Sequence, residues 1–321
     1  MTRGLSSEEA AITSPITDER AYVRDLIERI LRECPRRRPT SADEHQAATI
    51  ISEELEGVGL SPAFEPFVFN DSLYANLALH FGLGTLGTFI SGTLPHAALA
   101  LHLAAGLSYW SEATRQGYLL RRLFPFKPSQ NVVAVMPAEG EPALRIVLLA
   151  HLDAGQYGLL FNPKVIGFFA QEHPKGLDFL ERGLSVATRG QLVLAGIDLL
   201  RIVFGPAVAP LRPVEHLLNL PALIAFVLGL EATLRDEVVP GANDDLSGVA
   251  ALPVLAARLG PRKRSDVELV FVATGCEEAS LGGADALARS RDEAWDPERT
   301  VVLGLDSLGI GELRYVCLLY T

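Results

Sequence analysis

The sequence predicts an α/β fold carrying two helical hairpin inserts. Three observations predict it. Short β-branched runs alternate with segments of helical period over much of the chain. Histidine and acidic clusters directly follow several of the strand-like runs. Two long apolar stretches interrupt the alternation.

Taken in order, residues 1–17 are polar and read as a flexible tail. Val23, Leu26, Ile27, Ile30 and Leu31 recur at helical spacing between Asp18 and Cys34. Pro35, three arginines and Pro39 break that pattern, and Thr40 or Ser41 can cap a second helix, Ala42 to Glu56. Gly57 and Gly59 end it, and Phe64 to Phe69 reads as extended. Asn131–Val135 and Arg145–Leu149 are strands whose connecting turn, Ala138-Glu139-Gly140-Glu141, signals a hairpin. Ser247–Leu259 and Ala284–Arg291 read as helices, Val267–Ala273 and Val301–Leu305 as strands.

The first apolar stretch, Ser72 to Ser111, contains no Asp, Glu, Lys or Arg. Gly92 and Pro95 divide it into arms of roughly Leu73–Ile90 and Leu94–Trp110, near the lower length limit for a membrane span. A buried helical pair of this length would normally show one charged face, so a membrane hairpin is the expectation. The second stretch has arms Leu192–Val208 and Leu217–Leu230, interrupted by Asp198, Arg201 and several prolines, and reads as a span, a re-entrant hairpin or a cap. The expected organisation is a discontinuous core (18–71, 129–160, 236–321) with inserts at 72–128 and 161–235.

Composition excludes several classes. Lys and Arg number 28 against 39 Asp and Glu, a formal net charge of −11, which argues against binding a nucleic-acid backbone. Hydrophobic residues make up 49%, which excludes disorder. Three dispersed cysteines provide neither a disulfide framework nor a CxxC metal site.

Four clusters carry the chemistry: His151-Leu152-Asp153-Ala154, the run from Pro240 to Gly248 (PGANDDLSG), Gly275-Cys276-Glu277-Glu278, and Leu305-Asp306-Ser307. Three follow strands and one opens a helix, so all fall at the edge where open α/β sheets bind ligands. In H-x-D the carboxylate can orient a metal-bound imidazole. Of two adjacent glutamates, one can ligate a metal while its neighbour serves as general base. Singly, each cluster is common as a surface turn or a helix cap. Their joint occurrence in this order points to a metal site.

These segments resemble the co-catalytic zinc exopeptidases of metallopeptidase family 28, which have a phosphorylase/hydrolase-like α/β fold; the resemblance implies a three-layer α/β/α core with a mixed sheet, incomplete here at the C-terminus. The likeness extends over residues 20–69, 129–154 and 238–310. It implies that His151 and Asp306 bind a first zinc, that Asp244 bridges to a second held by Glu278, that Glu277 is the general base, and that Asp153 orients His151. The implied reaction is hydrolysis of a peptide bond near a free N-terminus by a metal-activated water. The family's fifth ligand is a histidine well downstream of the Asp306 position. Here no histidine follows His216 and the sequence ends at Thr321. The expectation is therefore a C-terminally truncated peptidase of impaired activity that holds one zinc rather than two, unless His173 or His216 substitutes. Two other readings are a non-catalytic binding or scaffold protein on the same fold, and a one-zinc transferase of the glutaminyl-cyclase kind. Arg115, Arg121, Arg122 and Lys127 after the first hairpin, with Arg182, Arg189 and Arg235 around the second, place the catalytic part in the cytoplasm at a membrane. The missing secretory signal points the same way.

Overall fold

A computed structural model describes residues 16–162, 164–165, 174–312 and 314, and for residues 160 and 174–182 the backbone alone. The tail 1–15 and His173 lie outside the described residues. Helix α1 (Glu19–Glu33) starts at Asp18, whose carboxylate accepts the amide N–H of Ala21, and α2 (Ala42–Gly57) starts at Ser41, which accepts that of Glu44. Strand β1 (Ala63–Phe69) follows, then α3 (Leu73–Ile90) and α4 (Pro95–Ala113), with Pro95 in the first helical turn. The core resumes with β2 (Lys127–Met136), β3 (Leu144–His151) and the short β4 (Gln156–Tyr157). Next come α5 (Pro174–Phe204), α6 (Arg212–Arg235) and β5 (Glu237–Val238), then α7 (Leu246–Leu259), β6 (Val267–Thr274), α8 (Gly282–Arg291) and β7 (Thr300–Gly304).

The main sheet is mixed, in the order β1-β2-β6-β3-β7. Strands β1, β2 and β6 pair antiparallel, whereas β3 runs parallel to both β6 and β7. The expected β2–β3 hairpin does not form, because β6 inserts between the two strands. The turn instead bonds to the chain entering β6: Glu139 N–H donates to the Ser265 carbonyl at 2.7 Å and Ala143 N–H to that of Asp266 at 2.9 Å. A central strand buried on both faces gains more from two neighbours than a two-strand hairpin does.

Helices flank both faces. On one, Ile30, Ile50, Ile51, Leu55 and Leu252 from α1, α2 and α7 pack onto Val132, Leu148 and Phe271 of the sheet. On the other, Leu287 of α8 and Trp295 cover Val133, Val147, Val270 and Val272. The fold is thus the expected mixed sheet between helical layers.

The two apolar stretches form the two expected helical hairpins, packed together as one structure. Helices α3, α4, α5 and α6 pack in a ring, each against the next and α6 back against α3. The first pair has nearly its expected limits. The second pair is longer than expected, since Asp198, Arg201 and Pro221 all lie within helices. Pro221 is tolerated inside α6, and Pro213 sits in its first turn.

This bundle buries polar side chains beside an apolar core and turns large apolar ones outward. Asn76, His80, His102, Gln191, Asp198, Glu215 and Asn219 are buried, while Phe89, Val203, Leu217 and Leu234 are 61–76% exposed. Asp198 explains how its charge is accommodated: its carboxylate takes hydrogen bonds from Ser91 and from His102 Nδ1 (2.6 Å), and His102 Nε2 meets Thr88 at 3.0 Å. Arg201 likewise pairs with Glu215, which also holds Arg212 at 2.6 Å. Close helix contacts fall at small residues, Gly106 against Leu192 and Gly229 against the Tyr74 carbonyl. The segments Leu73–Ile90 and Gly183–Arg235 are long and apolar enough to cross a membrane, by length and composition.

Candidate metal centre

Topology gathers the predicted residues at one edge. Strands β3, β6 and β7 run parallel in adjacent positions, so their carboxyl ends coincide: His151 is in register with Thr274, and Leu149 with Gly304. The residues that follow, Leu152–Ala154, Gly275–Glu278 and Leu305–Asp306, leave the sheet together. The PGANDD loop reaches the same place because α7 begins there, with Asp245 accepting the Gly248 N–H at 3.1 Å as its cap.

His151 is at the centre and 4% exposed. Its Nε2 lies 3.0 Å from Asp244 Oδ1 and 3.8 Å from Glu277 Oε2. Its Nδ1 faces the Asp153 carbonyl oxygen at 3.1 Å, with the Asp153 carboxylate slightly farther at 3.6 Å. His151, Asp244 and Glu278 each place one donor atom within 4.8 Å of the others. His151, Asp245 and Asp306 form a second such group, so the ring is common to both and Asp306 converges on the Asp245 side. The peptide bond between Asp244 and Asp245 is cis. One imidazole nitrogen and several carboxylate oxygens are a donor set suited to zinc.

The electrostatics agree with that fit. Burial works against a charged ring at His151, yet the carboxylates of Asp153 and Asp244 beside its two nitrogens push it up to about 12. Hydrogen bonding to the same ring holds Asp244 below the usual carboxylate range. Burial pushes Glu277 up to about 7 and Glu278 up to about 8, with neighbouring carboxylates adding to the shift of each. The site carries a surplus of negative charge in a desolvated place, which a divalent cation would neutralise.

Buried groups hold this arrangement, and of them Asp153 alone has a role expected from the sequence. Asp153 is fully buried, and its carboxylate accepts the amide N–H groups of Glu277 (3.0 Å) and Glu278 (2.9 Å), fixing the glutamate pair. Asp245 accepts the His151 N–H at 3.0 Å and the Ser307 N–H at 3.3 Å, tying β3 to the Asp306 loop. Glu44 stands three residues after a helix cap, where a carboxylate ordinarily turns back on its own helix. Here it accepts the N–H groups of Thr40 (3.0 Å) and Cys276 (2.8 Å) and the hydroxyl of Ser129 (2.8 Å). Burial, then the charge of Asp153, pushes Glu44 up to about 8. Arg37 is fully buried and donates to the carbonyls of Leu152 (3.0 Å), Cys34 (3.1 Å) and Pro240 (2.8 Å), so one guanidinium fastens two of the loops. In sequence it is one of three consecutive arginines, with nothing to distinguish it from its neighbours.

Two glycines are required by this crowding. Gly241 has φ +64°, and a Cβ there would stand 2.8 Å from Arg37 Nη2 and 2.8 Å from the Asp244 carbonyl oxygen. At Gly155 a Cβ would stand 2.7 Å from Glu278 Oε1.

Compared with known proteins, residues 230–320 match Peptidase family M28. The matched segment contains Asp244, Glu277, Glu278 and Asp306. No curated protein matches the chain. Among solved structures it is similar to a glutaminyl cyclase from Fimbriiglobus ruber (11% identity, TM-score 0.44, 90% of this chain and 61% of that one). It is also similar to BSAP, a zinc aminopeptidase from Bacillus subtilis (13%, 0.43, 90% and 69%), and to an aminopeptidase from Aneurinibacillus sp. strain AM-1 (14%, 0.44, 93% and 72%). The chain thus spans about three fifths of the length of the glutaminyl cyclase, 61%.

Proposed function

With the match of residues 230–320 to Peptidase family M28 as premise, we propose that the protein is a zinc-dependent exopeptidase of the aminopeptidase type, acting on peptides with a free N-terminus. The observation that carries this reading is the convergence of His151, Asp244 and Glu278 within 4.8 Å, beside the half-buried Glu277. His151, Asp244 and Glu278 would hold the zinc, with Asp306 approaching from the Asp245 side. When bound, zinc supplies a Lewis acid that polarises a carbonyl and acidifies water.

The chain's own groups do the rest. Glu277, half-buried with Oε2 3.8 Å from His151 Nε2, is placed to take a proton from water and return it to the departing amine. Asp153 acts as a positioning residue, holding the backbone of both glutamates. The excess of carboxylates at this edge favours the ammonium of a peptide N-terminus as well as a metal.

Glu277→Gln tests the reading. It should lower the release of amino-acid anilides by about 10²–10⁴-fold, the usual contribution of a general base. Equal rates would leave a peptidase fold kept for binding or scaffolding. Metal counting on the purified chain should find zinc in the parent and a loss in Asp244→Asn, and the expectation is one tightly held ion.

The bundle supports a membrane tether, with the discontinuous core outside the bilayer and the two inserts forming one embedded unit. The supporting observation is its buried polar groups and the large apolar side chains turned outward. Arg115, Arg122 and Lys127 favour a cytoplasmic catalytic core. Arg121 leaves that count, since it is fully buried and bonds to Glu112 at 2.8 Å. Retention in the pellet after alkaline extraction, and protease access to the core from the cytoplasmic side alone, are the expected results.

A further inference from the structure

An apolar cavity of about 230 Å³ lies where the bundle meets the catalytic edge. Its walls include Tyr74 and Leu77 of α3, Phe161, Gly183 and Leu184 of α5, and Ile224 of α6. Among the described residues no charged side chain lines it, and Tyr74 contributes the one polar side-chain group of the lining.

The chain leaving His151 connects the cavity to the metal centre. Gly155 is pressed against the Glu278 carboxylate, and farther along the same segment Phe161 packs edge-on against Tyr74, with ring centroids 6.2 Å apart. Ser72, which caps α3 just ahead of Tyr74, donates to Gln156 Oε1 at 2.8 Å. The segment from Gly155 to Phe161 therefore runs from the Glu278 carboxylate to the Tyr74 wall of the cavity.

We propose that this cavity binds the alkyl chain of a bilayer-borne substrate or product, whose polar end lies at Asp244 and Glu278. Except for Phe161, the named walls belong to Leu73–Ile90 and Gly183–Arg235, the two segments apolar enough to cross a membrane. The space is walled by bundle helices rather than by the sheet core. An apolar cavity of about 150 Å³ accepts benzene and excludes water. One of about 230 Å³ has room for a longer aliphatic group. A charged side chain entering it would lose its hydration with no partner in the walls. The assignment of the polar end rests on the exopeptidase reading; affinity for an alkyl chain does not.

The test uses the full chain in phosphatidylcholine nanodiscs and two photoprobes: a dodecylamine with a diazirine in its chain, and the water-soluble amide of photo-leucine. Peptide mapping should place dodecylamine adducts on Tyr74, Leu77, Leu184 or Ile224. Gly183→Leu is the blocking variant. Gly183 lines the cavity and a Cβ there meets nothing within 4 Å among the described residues, so the new side chain takes up cavity space, and leucine suits a helix better than glycine. It should reduce those adducts at least tenfold while melting temperature and zinc content stay at parent values. Adducts confined to outward-facing positions such as Leu217 and Val203, cavity adducts that persist in Gly183→Leu, or cavity labelling by the photo-leucine amide alone would each overturn the proposal. Failure of the exopeptidase reading appears separately, as unchanged hydrolysis in Glu277→Gln, and leaves the labelling result standing.

Discussion

Replacing Arg37 with methionine should destabilise the protein and loosen its metal site together. Methionine preserves an unbranched apolar stem but removes every donor. Three carbonyl oxygens, those of Leu152, Cys34 and Pro240, then lose their hydrogen bonds. A buried acceptor left unpaired costs about 1–3 kcal/mol, so three cost about 6 kcal/mol in the middle of that range. Part of this is offset, because Arg37 pays for its own desolvation: burial lowers its guanidinium to about 10. Allowing roughly half for that relief and for local relaxation leaves about 3 kcal/mol. At about 2–4 °C per kcal/mol for domains of 150–250 residues, the melting temperature should fall by roughly 6–12 °C. The carbonyls of Leu152 and Pro240 belong to the loops of His151 and Asp244, so zinc affinity should drop about 10–100-fold, as is usual when support behind metal ligands is lost. Thermal unfolding in micelles and competition with a zinc chelator measure the two effects. Arg37→Lys, which keeps the charge and can reach one or two of the carbonyls, should fall between. A methionine variant melting within about 2 °C of the parent, with unchanged zinc affinity, would refute the idea that this side chain fastens the site.

Three further perturbations test other parts of the structure. Glu44 is raised to about 8 from an ordinary 4.5, so the stability linked to its proton is present below about pH 4.5 and is lost as pH rises through about 8. The decline in melting temperature from pH 6 to 9 should be shallower in Glu44→Gln, and superimposable slopes would remove this assignment. Asp198→Leu strands His102 and Ser91 inside the bundle and should cost about 2–5 kcal/mol in a detergent melt, with Asp198→Asn costing less. Gly241→Ala adds a Cβ at positive φ against a backbone carbonyl and the Arg37 guanidinium. It should cost at least about 1 kcal/mol and weaken zinc binding, whereas the same change at the unconfined Gly196 should do neither.

The sequence by itself determined the local elements and named the residues that the fold gathers at one edge. Periodicity and caps located α1, α2, α3 and α7 to within a few residues, because a helix of that length is specified by its apolar stripe and its terminal hydrogen bonds. His151, Asp244, Glu277, Glu278 and Asp306 were legible because each sits at or just beyond a strand end or at a helix start, where main-chain direction rather than distant packing places a side chain. Tertiary structure alone decided which strands are neighbours: the turn after β2 looks like a hairpin, and only the two-sided burial of β6 separates β2 from β3. It alone turned two apolar stretches into one ring of helices with Asp198 and Glu215 inside, since a charge reads as an interruption until its partner, far off in sequence, is beside it. It alone gave Arg37 and Glu44 their tasks. Their partners are backbone amides and carbonyls, which every residue possesses, so no pattern of side chains announces them.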